Sequence, residues 1–432
     1  MFFWAASSFA SPAGATSPSA DHGLDPMVLI ALAAVLVFAK LGGELFERIN
    51  QPAVLGELIV GIVMGNLVLA GFEGAEPLKT NAIIAALAEI GVVLLLFEVG
   101  LETELAEMRK VGWSSLFVAV AGVVAPFFLG WGVSAYFLPG ESRLAHLFIG
   151  SVLCATSVGI TARVLKDLRK LSTREARIIL GAAVIDDVIG LLLLAVIVGV
   201  VGATNSGLEF SLAGVGWIGF KALAFFAVAF AIGRFAVPPI FRGGGLLKTR
   251  GVLLALAIAF CFGLSWMAAK VGLAPIVGAF AAGLVLEEVH FKPFLERGER
   301  NLHDLLSPVT SIFVPIFFVL MGMKVDLRTL ANRSSLGFAV LLTIAAIVGK
   351  QICSLAVAER GLNRLAVGLG MVPRGEVGLI VAGIGATLVL PNSAGVPEPV
   401  VNAATFGAVV IMVFVTTLVT PPALKWALAR KK

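Results

Sequence analysis

The sequence predicts an all-α membrane protein of about thirteen transmembrane helices, built as an inverted repeat with two crossed, discontinuous helices. Three observations carry this. The 432 residues are 59% hydrophobic and 14% charged, about half the charged fraction of roughly 25% usual in soluble domains. Long uncharged runs recur from end to end, and in a bilayer only structures that satisfy their own backbone groups can span. Two separate motifs also reappear at one fixed offset.

The expected spans are 27–46, 53–71, 81–101, 112–137, 144–166, 175–203, 212–238, 249–270, 273–288, 307–323, 335–357, 365–390 and 399–424. Residues 1–26, rich in Ser, Ala and Pro, lack a basic segment before their weak apolar stretch, so they read as a short external tail rather than a cleaved signal. Cys154, Cys261 and Cys353 lie in apolar runs without paired spacing and read as small core residues. The net charge is +5, but placement decides more than the sum. The loops after the odd-numbered spans through the eleventh, with their flanks and the C-terminal tail, hold 23 Lys and Arg, and the opposite side holds seven. By the positive-inside rule the N-terminus is outside and the C-terminus cytoplasmic. The basic loop from Arg163 to Arg177 is short and bounded by spans, so it is not a nucleic-acid surface.

PAVLGELIVGI at 52–62 resembles APIVGAFAAGL at 274–284, and LLFEVGLETEL at 95–105 resembles FFVLMGMKVDL at 317–327. Gly56 aligns with Gly278, Gly61 with Gly283, Gly100 with Gly322 and Glu104 with Asp326, all at an offset of 222. That offset spans an odd number of helices, so the second copy is inverted, the arrangement of secondary transporters. CATSVGITARV at 154–164 likewise matches PRGEVGLIVAG at 373–383. Thr156, Ser157 and Gly159 in one, and Pro373, Gly375 and Gly378 in the other, weaken the helix. Both spans are expected to break near the midplane and cross there, freeing carbonyls and half-helix ends to meet ions. Gly61 and Gly65 form a possible helix-packing face.

Within GAAVIDDVIGLLLLA, residues 181–195, Asp186 and Asp187 interrupt an otherwise apolar run. A charge at the bilayer centre costs roughly 2.5–3.5 kcal/mol even on the lenient insertion scale. Consecutive helical residues project about 100° apart, so the two acids face different neighbours. Asp187 lies roughly 18 Å from the cytoplasmic end of its helix. Lys350, in TIAAIVGKQICSL, reaches a similar depth and needs an acid partner; Asp186 is the candidate. That leaves Asp187 free to hold a proton or a small cation, with Thr156, Ser157 and freed carbonyls as further oxygen ligands. Arg374 and Glu376 nearly neutralise one another and could brace the crossing. Glu57, Glu89 and Glu98 are single acids, read as interfacial or locally paired. His22, His146, His290 and His303 have no metal spacing, and no cofactor is implied.

No GxxxxGK[ST], GxSxG or HExxH occurs, which removes the usual signs of ATP drive, a hydrolase nucleophile or a zinc peptidase. An intramembrane aspartyl protease would want its two acids on separate helices. A passive channel would show no coupling to a pH gradient.

GAAVIDDVIGLL, CATSVGITARVLKDL, LLLFEVGLETEL, PRGEVGLI and the lysine of VGKQ together resemble the monovalent cation:proton antiporters of the Kef and NapA kind, over residues 27 to 425. The resemblance implies a homodimer in the inner (plasma) membrane that exchanges a monovalent cation, Na+ first, with Li+ or K+ as alternatives, for H+ by alternating access. It implies a dimer domain in 27–110 and 246–333, a core domain in 111–203 and 334–432, and a linker helix in 204–245. It also implies that Asp186, Asp187 and Lys350 form the exchange site, with Thr156, Ser157, Arg374 and Glu376 supporting it. An Asp-Asp pair with a facing Lys resembles the electrogenic sodium type, and the chain is expected to lack the nucleotide-binding domain typical of Kef. The alternative is a K+/H+ antiporter or a K+ efflux protein of the Kef kind. Glu98 departs from the motif, where an apolar residue is expected.

Overall fold

A computed structural model describes residues 26–429 apart from residue 50 and residues 72–75, 103–111, 171–172, 206–211, 248, 287–290, 297, 299, 331, 360 and 392–395. The expected tail, apart from Pro26, lies outside the described residues, as do His22, Glu104 and His290.

Each expected span overlaps a helix or two successive helices. The first half of the chain folds as α1 (Pro26–Arg48), α2 (Ala53–Gly65), α3 (Ala82–Glu102), α4 (Trp113–Phe137), α5 (Arg143–Val152), α6 (Val158–Asp167) and α7 (Arg174–Asn205). The second half folds as α8 (Leu212–Phe235), α9 (Val237–Gly244), α10 (Val252–Lys270), α11 (Pro275–Val285), α12 (Leu302–Met323), α13 (Arg333–Ile352), α14 (Arg364–Gly370), α15 (Glu376–Thr387) and α16 (Ala403–Ala429). Among the described residues, nine helices are long and apolar enough to cross a membrane; α2, α5, α11 and α15 are shorter apolar helices.

Local chemistry sets several boundaries. Ser142 starts α5, its hydroxyl accepting from Ala145 N at 3.1 Å. Asn363 starts α14 by accepting from Ala366 N at 3.0 Å. Each supplies a partner to a helix-terminal N–H that has none within the helix. Pro238 and Pro239 occupy the first turn of α9, where a missing N–H costs nothing, so the single run expected at 212–238 divides at Ala236. The twelfth expected span ends early. The run at 365–390 stops being helical at Thr387, and Val389–Pro391 (β1) pairs antiparallel with Pro397–Pro399 (β2). Prolines at 391, 397 and 399 cannot donate to a helix, so a two-stranded antiparallel sheet departs from the all-α expectation.

Packing falls into two groups. α12 packs on α2 and α3, and α3 on α11, with α1 against α2 and α10 against α11. α4 packs on α5, α7 and α13, and α13 on α16. α8 touches α7 in one group and α11 in the other. Within the first group, glycines allow backbone-to-backbone approach: a methyl group on Gly61 would lie 2.9 Å from Gly322 Cα, and one on Gly100 would lie 3.0 Å from Gly283 Cα. The offset of 222 carries the pair 61/322 onto the pair 283/100, so the second contact repeats the first with its partners exchanged.

Candidate functional site

α7 carries Asp186 and Asp187 side by side, and the fold gives them different surroundings. Asp186 is fully buried. Lys350 Nζ donates to its Oδ1 at 2.9 Å and its Oδ2 at 2.8 Å, with both side chains 0% exposed. Thr156 Oγ1 donates to Oδ2 at 2.6 Å. α4 makes room for this pair. A methyl group on Gly122 would lie 3.4 Å from the Lys350 ammonium, and one on Gly349 would lie 2.8 Å from Pro126 Cα, so glycines let α4 and α13 close around the lysine. Asp187 is half-buried, and its Oδ1 is buried without a hydrogen-bond partner. A buried polar atom left unpaired costs about 1–3 kcal/mol, more if charged.

Facing the pair are the two interruptions. Between α5 and α6 the chain leaves helical geometry at Ala155–Ser157, and between α14 and α15 at Val372–Gly375. The two segments join directly: Ser157 N donates to Pro373 O at 2.9 Å. Arg374, fully buried, donates through Nη1 to Cys154 O at 3.2 Å and to Ala155 O, and through Nη2 to Ala346 O at 3.4 Å. Its guanidinium thus sits at the carbonyl end of α5, where a half-helix dipole is negative. Glu376 opens α15, where the dipole is positive, and accepts from Ser157 Oγ at 3.4 Å. A methyl group on Gly375 would lie 2.6 Å from Ser157 Oγ, which is why a glycine precedes the glutamate there.

A cavity of about 1310 Å³, counting its open mouth, runs to this junction. Ser157 and Glu376 line it, together with Gln51, Pro52 and Lys425.

The structure brings all seven expected site residues into one region but redistributes their partners. Lys350 meets Asp186, as charge balance requires. Neither Thr156 nor Ser157 bonds to Asp187: Thr156 completes the shell of the fully buried Asp186, and Ser157 turns to Glu376. Arg374 donates to backbone carbonyls rather than to Glu376, because an interrupted helix leaves carbonyls that need donors. Glu98 finds a local partner, His303 Nδ1 at 3.6 Å, and His146 Nδ1 shares a hydrogen bond with Ser134 Oγ at 2.8 Å. Sequence reasoning missed three buried threonines. Thr416 Oγ1 accepts from Arg374 N at 3.3 Å, Thr417 Oγ1 donates to Arg374 O at 2.5 Å, and Thr161 Oγ1 donates to Gly370 O at 2.6 Å. The doublet in VFVTTLVT was a readable signal, since hydroxyls in an apolar span need acceptors.

The transmembrane sodium/hydrogen exchanger model matches residues 32–428. The chain is 38% identical to the high-affinity Na+/H+ antiporter NhaS3 of Synechocystis over 96% of this chain and 93% of that protein. It is 36% identical to the Na+/H+-K+ antiporter GerN of Bacillus cereus over 93% and 96%. The sodium proton antiporter MjNhaP1 of Methanocaldococcus jannaschii has a similar fold, with a TM-score of 0.68 at 16% identity, covering 93% of this chain and 98% of that one. The chain therefore belongs to the sodium/hydrogen exchanger family, multi-pass membrane transporters of cations and protons rather than enzymes.

Proposed function

We propose that Asp187 is the exchange site, binding Na+ when ionised and H+ otherwise, and that alternating access presents it to each side in turn. The observation that carries this is the division of labour on α7. Asp186 has Lys350 on both oxygens and Thr156 on one, while Oδ1 of the adjacent Asp187 is buried and unpartnered. Because Thr156 spends its proton on Asp186, the lone pairs of its hydroxyl face away from that carboxylate and suit a cation. Ser157 and the carbonyls at the interruption are the further oxygen ligands.

Coupling follows from cost. An empty, ionised Asp187 is penalised in the low-dielectric centre, so the site crosses loaded with Na+ or with H+. If Na+ breaks the Asp186–Lys350 pair and Lys350 then loses its proton, two protons move per cation and transport is electrogenic. The cavity reaching Ser157 and Glu376 is the cytoplasmic access path, since Gln51 and Lys425 at its wall fall on the Lys/Arg-rich side. The moving part is the core domain, spans 4–6 and 11–13, whose interrupted helices cross. The other group is the dimer domain of a homodimer, α8 links the two, and the reciprocal glycine contacts support an inverted repeat of about thirteen spans.

The test is purified protein in sealed proteoliposomes with an internal pH dye. Na+ is expected to drive proton movement in wild type and not in Asp187→Asn. Full exchange in Asp187→Asn would overturn the site. The name of the Bacillus relative includes K+, so K+ and Li+ belong in the same assay; proton movement with K+ but not Na+ would replace the sodium reading by the potassium one.

A further inference from the structure

Glu57 belongs to none of the machinery above. Its side chain, on α2, is 5% exposed, and its Oε2 is buried without a hydrogen-bond partner. It faces an open-rimmed cavity of about 1160 Å³ that Lys40, Glu44 and Glu47 of α1 also line. Glu57 lies about 6 Å along α2 from the Lys/Arg-rich side, the depth at which lipid headgroups give way to acyl chains. Glu44 is held by Arg48 at 2.9 Å. Among the described residues no ion pair joins Lys40 to Glu47 or Glu57, although both charges act on Glu57 through space. The pocket thus offers one cation and two carboxylates that do not satisfy one another.

The rim of the cavity is apolar. Val37 and Leu41 line it, and with Leu45 they form a stripe at i, i+4 and i+8 on one face of α1, each more than half exposed. A charged pocket that opens onto an apolar track suits an amphipathic ligand. The repeat supplies an internal control. At the offset of 222, Lys40, Glu44, Glu47 and Glu57 correspond to Phe262, Trp266, Ala269 and Ala279. The close packing of Gly56 on Gly42 is matched by Gly278 on Leu264. The same helix pair is thus built with no charge at these four positions, so the packing does not require them.

We propose that this pocket binds an aminophospholipid by its phosphoethanolamine headgroup, with the ammonium on Glu57 and Glu47, the phosphate on Lys40 and an acyl chain along Val37, Leu41 and Leu45. The chemistry selects that headgroup. A primary ammonium brings three N–H donors, as a lysine does, enough for the orphaned Oε2 of Glu57 and for Glu47. Its charge offsets a carboxylate that is costly to bury alone. The phosphate answers Lys40, whose flexible stem lets its ammonium rise out of the apolar span. A choline headgroup carries the charge but has no N–H to donate, and a glycerol headgroup has no positive charge. A metal ion fits less well, since among the described residues no three His, Cys, Asp or Glu side chains are placed to hold one. The inference does not rest on the exchange reading above, because lipid binding is read without transport.

The experiment is native mass spectrometry of the full-length protein, delipidated in detergent and titrated with phosphatidylethanolamine, its N-methyl and N,N-dimethyl forms, phosphatidylcholine and phosphatidylglycerol, all with matched acyl chains. One ethanolamine lipid per protomer is expected to bind about tenfold more tightly than the choline lipid, the worth of one hydrogen bond to a charged group, and the methylated forms to fall between them. Glu57→Gln is expected to erase that preference, and Glu57→Asp to keep part of it. Lys40→Met is expected to weaken the ethanolamine and choline lipids alike and to leave their ratio unchanged. Equal binding of the ethanolamine and choline lipids to wild type, a preference that survives Glu57→Gln, or a glycerol lipid that binds as tightly as the ethanolamine lipid would overturn the proposal. Soluble glycerophosphoethanolamine binding as tightly as the lipid would overturn it too, since the apolar track would then contribute nothing. If Glu57→Gln does not fold, Lys40→Met, at an exposed position, still decides: unchanged affinity for the ethanolamine lipid overturns the site.

Discussion

The contact between Asp186 and Lys350 yields a prediction whose size follows from its geometry. Both side chains are 0% exposed, and the ammonium lies 2.8 Å and 2.9 Å from the two carboxylate oxygens. Removing one member of such a pair strands the other without water, at about 3–5 kcal/mol, two to four orders of magnitude in the folding equilibrium. Replacing both removes the stranded charge along with the contact. Lys350→Gln and Asp186→Asn are therefore each expected to lose about 3–5 kcal/mol, and the double variant to lose less than their sum by about 2 kcal/mol or more. The assay is equilibrium unfolding in mixed detergent and SDS micelles, run as a double-mutant cycle. Strictly additive losses would mean that the two groups are not a pair in the folded protein, and the separate roles given to Asp186 and Asp187 would fall with it.

Two further outcomes are expected. Gly61→Ala should destabilise by about 1–3 kcal/mol through overpacking against Gly322, and its repeat counterpart Gly283→Ala by a similar amount against Gly100; Gly263→Ala, where nothing lies within 4 Å of the added methyl group, should be neutral or mildly stabilising in the same unfolding assay. Glu141 lies between α4 and α5, outside the spans. Partial burial raises its carboxyl above the usual range, Glu398 adds repulsion, and a hydrogen bond from Asn402 opposes both. Its folded-state proton affinity thus exceeds that of the unfolded chain, so its contribution to stability is full below the unfolded carboxyl range and lost as pH rises through the folded value. Melting curves of Glu141→Gln should therefore gain on wild type as pH rises from acidic to neutral, and a constant difference would contradict this.

The readable parts of the sequence were those where a rule leaves few solutions. A lysine at membrane depth demands an acid, and α7 offers two in succession in the middle of its span, so the pairing of Lys350 with Asp186 is legible from charge and depth. The glycines at one offset named surfaces that touch, because a glycine in a span is justified by a neighbour's backbone. What stayed hidden was the assignment among equals. Thr156 and Ser157 are adjacent hydroxyls, and which acid each serves depends on the local backbone turn at Ala155–Ser157. Arg374 and Glu376 cancel on paper, yet each is drawn instead to the exposed end of a different half-helix, a field that exists only after the helices break. The pairing of Val389–Pro391 with Pro397–Pro399 was obscured because prolines end a helix without specifying the next element.

Competition of Na+ and H+ for one carboxylate, Asp187, has a direct signature in proteoliposomes: the way the half-saturating Na+ concentration changes with pH. This concentration is expected to rise as pH falls, approaching about tenfold per pH unit on the acid side, while the rate at saturating Na+ holds. A half-saturating concentration that stays constant while the maximal rate collapses with acid would contradict it, because protons would then be acting somewhere other than the sodium site.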